Sequence, residues 1–190
     1  RLMKTDMSKG RRDGVKRFSQ FDVGRIDSLR GEWLAGTLMS KFNNKVIYHG
    51  LQHLYKTEDA GETWKMISAD LSYNDKSRMG VYPYLIYHQA ITSIAEGDKP
   101  GIIYAGTRGD GVFRSIDNGN TWVSSNTGLS NLKINAIASI DSNNLVVATD
   151  GEGLFFSKDG GITWDNGNTE VRLNYVLTLA VSNQGYIYAG

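Results

Sequence analysis

The chain has 190 residues, 40% of them hydrophobic, and a formal net charge of +1 at neutral pH. A chain of this length buries a substantial core, and its near-neutral charge excludes a general attraction to nucleic acid. The absence of cysteine excludes disulfides and thiolate metal sites. No apolar run reaches the length of a membrane-spanning helix, so we expect no membrane span.

The N-terminal region predicts two strands and a basic segment. Residues 2–6 lead into a degenerate form of the turn motif described next, and residues 15–21 favour the strand that follows such a turn. Residues 1–17 contain seven Lys and Arg but only two Asp. This segment is either an arm that binds anions or a solvated hairpin whose charges protect a sheet edge.

One eight-residue pattern then occurs three times: Ser or Thr, any residue, Asp, any residue, Gly, any residue, Thr, Trp. Its defining residues are Thr57, Asp59, Gly61 and Trp64; Ser115, Asp117, Gly119 and Trp122; and Ser157, Asp159, Gly161 and Trp164. Ser, Thr and Asp side chains close turns by bonding nearby backbone N–H groups, and Gly supplies a positive φ. We interpret each copy as a self-locked hairpin turn, with the Asp residues as turn locks and the Trp residues largely buried.

Each copy of the motif has strand-forming runs around it. Runs rich in apolar residues occur immediately before it (54–56, 112–114, 154–156), further upstream (46–48, 102–104, 145–147, 186–188) and further still (33–39, 91–95, 136–140, 177–181). With the segment after the Trp, this gives four antiparallel strands, A to D, and places the motif at the C–D turn. Residues 104–122 match residues 146–164 at a constant offset of 42. Four-stranded units repeated around a channel are the blades of a β-propeller.

We therefore predict an all-β fold, a β-propeller with about four blades' worth of strands. The predicted segments are strands C and D of a preceding blade (1–24), three blades (25–89, 90–133 and 134–175) and strands A and B of the next blade (176–190). Ends that fall within a repeat favour part of a larger propeller, and a closed four-bladed ring with one split blade is the alternative. The remaining blades of the parent chain, or another copy, would then be needed to close the ring and cover free edges.

The repeated motif is similar to the Asp-box, also called the bacterial neuraminidase repeat. Residues 30–190 resemble Asp-box β-propeller proteins, a group that includes sialidases, xyloglucan-degrading endoglucanases, sortilin-like receptors and photosystem II assembly factors. The chain most resembles bacterial sortilin-like "glycosyl hydrolase" repeat proteins, in which the sequence seen here at residues 64–72 follows a box in much the same way. The resemblance implies a propeller scaffold, and we expect an extracytoplasmic or secreted bacterial protein.

Hairpin connectivity separates two faces of the predicted propeller. The A–B and C–D turns share one face, and the B–C and D–A loops share the other, where we expect binding residues because loops on a rigid scaffold carry them. The B–C loops place Arg108 and Asp110 at positions matched by Asp150 and Glu152 in the next blade. Asp110 and Glu152 are either the two carboxylates of a glycoside hydrolase or polar loop tips.

The longest excursion, between residues 64 and 91, contains Tyr82, Tyr84 and His88. These aromatic residues either form a platform for a sugar or peptide or pack the loop onto its sheet. The three His do not have the spacing of a metal site, so we expect neither metal nor cofactor. The arginine triad of sialidases does not map onto the Arg residues of this chain.

Two functional hypotheses follow from these residues. The first is a binding module that presents its B–C/D–A face to a glycan or protein ligand. The alternative is a glycoside hydrolase of the xyloglucanase or sialidase type, or an assembly factor.

Overall fold

The computed structural model describes residues 3–5, 15–17, 35–72, 81–82, 85–86, 90–167 and 175–190. Within these residues the chain forms 18 strands and no helix. Three four-stranded antiparallel sheets and three two-stranded sheets account for all of these strands. The fold is all-β, as predicted, and the larger sheets are propeller blades.

The three complete blades have the strand order A-B-C-D, so every strand pairs with its neighbour in sequence. The first blade contains β3 (Thr37–Met39), β4 (Ile47–Gly50), β5 (Leu54–Thr57) and β6 (Lys65–Met66). The second contains β9 (Ile91–Glu96), β10 (Ile103–Thr107), β11 (Val112–Ser115) and β12 (Val123–Ser124). The third contains β13 (Ile134–Ser139), β14 (Leu145–Thr149), β15 (Gly153–Ser157) and β16 (Asp165–Asn166).

Three hairpins complete the described structure. β1 (Met3–Thr5) pairs with β2 (Val15–Arg17), and β17 (Leu179–Val181) pairs with β18 (Ile187–Ala189) as strands A and B of a fourth blade. β7 (Val81–Tyr82) pairs with β8 (Leu85–Ile86) inside the long excursion, where the sequence had indicated only a loop.

The innermost strands differ from their predicted bounds. β13 begins at Ile134 rather than at residue 136, with a register irregularity between Ile134 and Ala136. β17 begins two residues later than predicted, since the N–H groups of Leu177 and Thr178 both donate to Gly190 O. A bulge and a shared acceptor are local departures from strand pairing that hydrophobic periodicity does not report.

The hydrophobic core lies between blades rather than inside any one of them. Strands β10 and β14 are buried along their whole length, which requires cover on both faces of the sheet. One cluster joins residues of the first and second blades, including Tyr48 and Phe113. The next two clusters join the second blade to the third and the third to the fourth. Stacking of adjacent blades therefore supplies the main stabilisation.

We name the three repeated motifs box turns, for residues 57–64, 115–122 and 157–164. In the second, Ser115 Oγ donates to Asp117 Oδ1 (2.8 Å) and accepts the Gly119 N–H (2.9 Å). Asp117 accepts the backbone N–H of Thr121 (2.8 Å) and its hydroxyl (2.6 Å). The same four contacts recur in the other two box turns at 2.6 to 2.9 Å. These side chains close the turn, as predicted from the motif.

The box turns share a face with the A–B turns. The residue before the motif glycine has a positive φ in each copy, and its N–H donates to a carbonyl of the A–B turn in the same blade. These bonds join Ala60 to Lys45 (2.8 Å), Asn118 to Gly101 (3.0 Å) and Gly160 to Asn143 (2.8 Å). The predicted grouping of A–B with C–D turns is therefore confirmed.

The box tryptophans connect one blade to the blade before it. Trp164 Nε1 donates to Ser125 O (2.7 Å) and Trp122 Nε1 donates to Ile67 O (2.9 Å), each acceptor lying just after strand D of the preceding blade. Trp164 is 2% exposed, as predicted. The prediction is wrong in degree for Trp64 and Trp122, which are only half-buried.

Two buried tyrosines on strand B make the reciprocal link to the blade that follows. The Tyr48 hydroxyl donates to Glu96 of the second blade, whose Oε2 also accepts the Lys41 N–H (2.9 Å). Burial, together with the Glu96 carboxylate, raises the pKa of Tyr48. At the equivalent position, Tyr104 donates to Gly160 O of the third blade (3.0 Å). Each interface between complete blades is thus bridged by polar contacts beside its apolar core.

Replacing Ser115 by Ala tests the turn lock. The substitution removes the acceptor of the buried Gly119 N–H, and we expect a loss of about 1–3 kcal/mol in unfolding free energy. Urea unfolding measures it, with Ser142→Ala in an exposed A–B turn as the control. Equal stability of the two variants would contradict a stabilising role for the box turn.

Replacing Trp164 by Phe tests the link between blades. The change leaves Ser125 O without its indole donor and opens space in a buried site, so we expect destabilisation of about 2 kcal/mol. The half-buried Trp64 provides the matched control, and Trp64→Phe should cost less. Thermal or urea unfolding measures the stability lost in each variant. If Trp164→Phe cost no more stability than Trp64→Phe, the link between blades would contribute little.

Candidate functional site

The B–C loops of the second and third blades are closed by their own threonines. Thr107 Oγ1 donates to Gly111 O (2.9 Å) and accepts the Asp110 N–H (3.1 Å). Thr149 Oγ1 donates to Gly153 O (3.1 Å) in the same way. Both threonines are fully buried, so the loop tips rest on ordered, internally bonded supports.

The B–C and D–A loops interlock across neighbouring blades. Arg108 N donates to Ala90 O (3.0 Å), and at the equivalent position Asp150 N donates to Lys133 O (2.9 Å). Backbone bridges pair Arg108 with Lys133 and Asp150 with Tyr175. The four residues Arg108, Lys133, Asp150 and Tyr175 therefore form one continuous backbone-linked series, which we call the rim.

The rim lies at the inner edge of the loop face. Lys133 and Tyr175 stand directly before Ile134 and Val176, which begin the innermost segments of the third and fourth blades. Those segments are linked to each other through Asn135, whose Nδ2 donates to Val176 O (3.0 Å). The rim therefore lies beside the beginning of the innermost segments of the third and fourth blades.

Two asparagines fix the D–A loops beneath the rim. Asn131 Nδ2 donates to Asp150 O (2.7 Å), and Asn131 Oδ1 accepts the Lys133 N–H (2.9 Å). Asn126 Nδ2 donates to Asp110 O (3.0 Å), and its Oδ1 accepts the Val112 N–H (2.8 Å). The amide of Asn126 lies so close to Gly111 that a Cβ there would approach within 2.1 Å, which explains the glycine at this position.

The structure gives the two matched carboxylates different surroundings. Asp110 is 1% exposed. Glu152 is exposed and accepts a hydrogen bond from Ser130 Oγ in the neighbouring D–A loop. Asp110 and Glu152 occupy equivalent sequence positions, but one carboxylate is buried and the other is exposed.

The other predicted binding residues lie partly on the rim and partly outside the described residues. Arg108 and Asp150 are half-buried members of the rim. The Tyr82 backbone lies in β7, whereas Tyr84 and His88 lie outside the described residues. Tyr175 was not predicted as a binding residue, although its ring is 73% exposed and lies over Gly151. Tyr175 lies 42 residues after Lys133, the same offset that relates the two repeats. This equivalence could have predicted that Tyr175 belongs to the loop face.

The first blade carries a buried histidine on strand B. His49 is 8% exposed, its Nδ1 lies 2.8 Å from Thr37 Oγ1, and its ring meets the edge of the Trp64 ring at 6.4 Å between centroids. Burial lowers the pKa of His49 to about 4. His49 is therefore neutral at physiological pH and packs as part of the sheet.

The box turns carry ionised carboxylates on the opposite face. Hydrogen bonds from the Thr163 side chain and backbone lower the pKa of Asp159 to about 2, and equivalent bonds lower the pKa of Asp59 and Asp117. Among the described residues, no group of three or more His, Cys, Asp or Glu is arranged to hold a metal ion. The same residues contain no helix with the length and apolarity needed to cross a bilayer.

Solved structures similar to this chain are β-propeller proteins. The xyloglucanase of family GH74 from Xanthomonas campestris has a TM-score of 0.60 at 15% identity, over 81% of this chain and 26% of that protein. YCF48 from Cyanidioschyzon merolae gives 0.54 at 16%, over 82% and 49%, and YCF48 bound to D1 peptide gives 0.52 at 15%, over 85% and 54%. No protein-family model matches the sequence, and no curated protein matches it significantly.

These likenesses establish the fold and leave the activity open. The identities lie far below the level at which a shared function follows from a shared fold. The chain spans about a quarter of the xyloglucanase and about half of YCF48. The architecture is therefore that of a partial propeller, which agrees with the predicted four blades' worth of strands.

The buried His49 makes stability depend on pH. Its pKa falls from 6.5 in the unfolded chain to about 4 in the folded one, so the unfolded state binds more protons between these values. Stability is therefore full above pH 6.5 and decreases as the pH falls towards 4. We expect the free energy of unfolding to be about 2 kcal/mol lower at pH 5 than at pH 7.

The measurement is urea unfolding at both pH values for the wild type and His49→Gln. Glutamine does not titrate, so the variant should lose much less stability over this interval. The carboxylates of the box turns titrate below it, because their pKa values are lowered. An equal loss in wild type and variant would assign the pH dependence to other groups.

Proposed function

We propose that the chain is a β-propeller binding module and that a polypeptide ligand docks on the rim. The observation that carries this proposal is the exposed ring of Tyr175, held by a backbone bridge to Asp150 on a face of interlocked loops. An exposed aromatic on a rigid support offers contact area at a small entropic cost. Loops on such a scaffold are common sites of recognition.

The charged residues of the rim and of the loop after Asp150 favour a polypeptide. Arg108 and Lys133 contribute two cations, whereas Asp150 and Glu152 contribute two anions on the neighbouring blade. A peptide with both charge signs and an apolar side chain matches this arrangement, and complementary charge gives the orientation. Among proteins of similar fold, YCF48 has been solved with a D1 peptide, which supports a peptide ligand as a use of the architecture.

The hydrolase hypothesis has less support from the described residues. A general acid and its partner carboxylate must both reach the glycosidic bond, but Asp110 is almost fully buried. The GH74 structures share the fold at low identity. The expected extracytoplasmic location and the expected glycan ligand stay predictions.

A peptide-display experiment with Tyr175→Ala tests the proposal. The chain is immobilised and screened with a random 12-residue phage library, and an enriched peptide is then titrated by calorimetry. We expect Tyr175→Ala to weaken binding at least about tenfold, as expected for a central aromatic anchor.

Tyr186→Ala is the matched control. Tyr186 is 67% exposed and lies in the A–B turn of the fourth blade, on the opposite face, so its loss should leave the affinity unchanged. Failure to enrich any peptide, or equal weakening by both variants, would overturn the proposal. A parallel oligosaccharide array tests the other ligand class. If the chain binds oligosaccharides but no peptide, and Tyr175→Ala removes that binding, the rim is a glycan site instead.

A further inference from the structure

A second surface of interest lies on the box-turn side, between the first and second blades. It is a cleft of about 830 Å³, which is within the range of small-ligand sites. Trp64, Lys65 and Met66 line one wall, and Asn118 and Asn120 line the other. We call this cleft the interblade groove.

The groove exists because strand D of the first blade ends differently from strand D of the second. Between the second and third blades, Thr127 pairs in parallel with Thr163 and accepts the Trp164 N–H (2.9 Å). Ala69 and Trp122 occupy the equivalent positions at the first interface, and no backbone hydrogen bond between these two described residues is present. The outer part of this interface is therefore open.

The chain after Ile67 turns back onto its own blade. Ser68 Oγ accepts the Leu54 N–H (2.8 Å) and donates to Ala69 O (2.7 Å). Leu71 N donates to Gln52 O (3.0 Å), and Asp70 accepts both the N–H and the hydroxyl of Ser72. These bonds hold the segment after Ile67 against the first blade.

The polar groups of the groove include both donors and acceptors. Lys56 and Glu58 form a pair at 2.6 Å, and the Glu58 side chain is 73% exposed. Asn120 Nδ2 donates to Asp117 O (2.6 Å), which leaves its amide oxygen as an acceptor. Such a set suits a ligand that carries many hydroxyl groups, since each hydroxyl both donates and accepts.

The charges around the groove have both signs and disfavour a strongly charged ligand. Two lysines and one glutamate line the groove, and the box turns that form its walls carry the ionised Asp59 and Asp117. These anions oppose binding of phosphate, sulfate or an acidic peptide. The lysines oppose a polycation, so a neutral ligand is favoured.

Apolar surface is available beside these polar groups. Trp64 is half-buried and Met66 is 52% exposed. The face of a sugar ring is apolar whereas its rim is hydroxylated, and aromatic side chains contact such faces. We propose that the interblade groove binds a neutral saccharide segment, independently of the peptide site on the rim.

The next blade interface provides a natural comparison. By strand register and motif position, Lys65 corresponds to Val123, Asn120 to Ile162 and Glu58 to Ile116. All three of those apolar residues are more than half exposed. The same scaffold thus carries either kind of residue, and of the two described interfaces between complete blades the first has the polar set.

The test compares wild type with the double variant Lys65→Val/Asn120→Ile on a glycan array. The array contains neutral α- and β-linked oligosaccharides, with sulfated and sialylated glycans as charged comparators. We expect retention of neutral glycans and at least about tenfold weaker binding by the double variant, the effect of losing two polar contacts. Both substitutions copy residues that the next interface already carries, and thermal unfolding checks that the fold is kept.

Two further variants make the result decisive. Asn118→Gly removes one groove amide while keeping the positive φ that Gly160 has at the equivalent position, and it should also weaken sugar binding. Tyr175→Ala should leave sugar binding unchanged, which separates this site from the rim. Absence of neutral-glycan binding, a preference for charged glycans, or full binding by the groove variants would overturn the proposal.

Discussion

The middle strands β10 and β14 bury side chains on both faces of their sheets, and this constraint organises the molecule. A sheet exposed to water on either side would leave apolar surface such as that of β10 and β14 unburied. Adjacent blades remove this surface from water at about 25 cal/mol per Å². The polar contacts of Tyr48, Tyr104 and Trp164 then fix how the blades face each other.

That stacking leaves the propeller with two faces of different chemistry. The loop face presents the rim on interlocked loops, and the opposite face presents the box turns with their ionised carboxylates. A surface supported by buried threonines and bonded asparagines holds its shape without a ligand, so little ordering entropy is lost on binding. The interblade groove differs in origin, because it arises where one interface is left partly open.

The sequence predicted the box turns and the grouping of loops well, because these depend on short-range chemistry. Ser115, Asp117 and Gly119 lie within five residues, and their hydrogen bonds need no distant partner. The burial of Trp164 was predicted from ring size. The half-burial of Trp64 and Trp122 was not, because ring size alone does not fix how much of a ring its neighbours cover.

The site residues show the same division between local and distant causes. Asp110 and Glu152 match in sequence, yet one is buried next to the Asn126 contact and the other is exposed beside Ser130. Tyr175 gains its position from a bridge to Asp150, a residue 25 positions earlier. Side-chain exposure in loops is set by such pairings, which a motif of eight residues does not contain.

The arrangement of the core between blades has a consequence for cooperativity. Each cluster is shared by two adjacent blades only, so stability is a sum of nearest-neighbour terms, as in a one-dimensional array. A loss of packing in one cluster therefore weakens the interface that contains it directly, and it reaches more distant blades only through the blades between them.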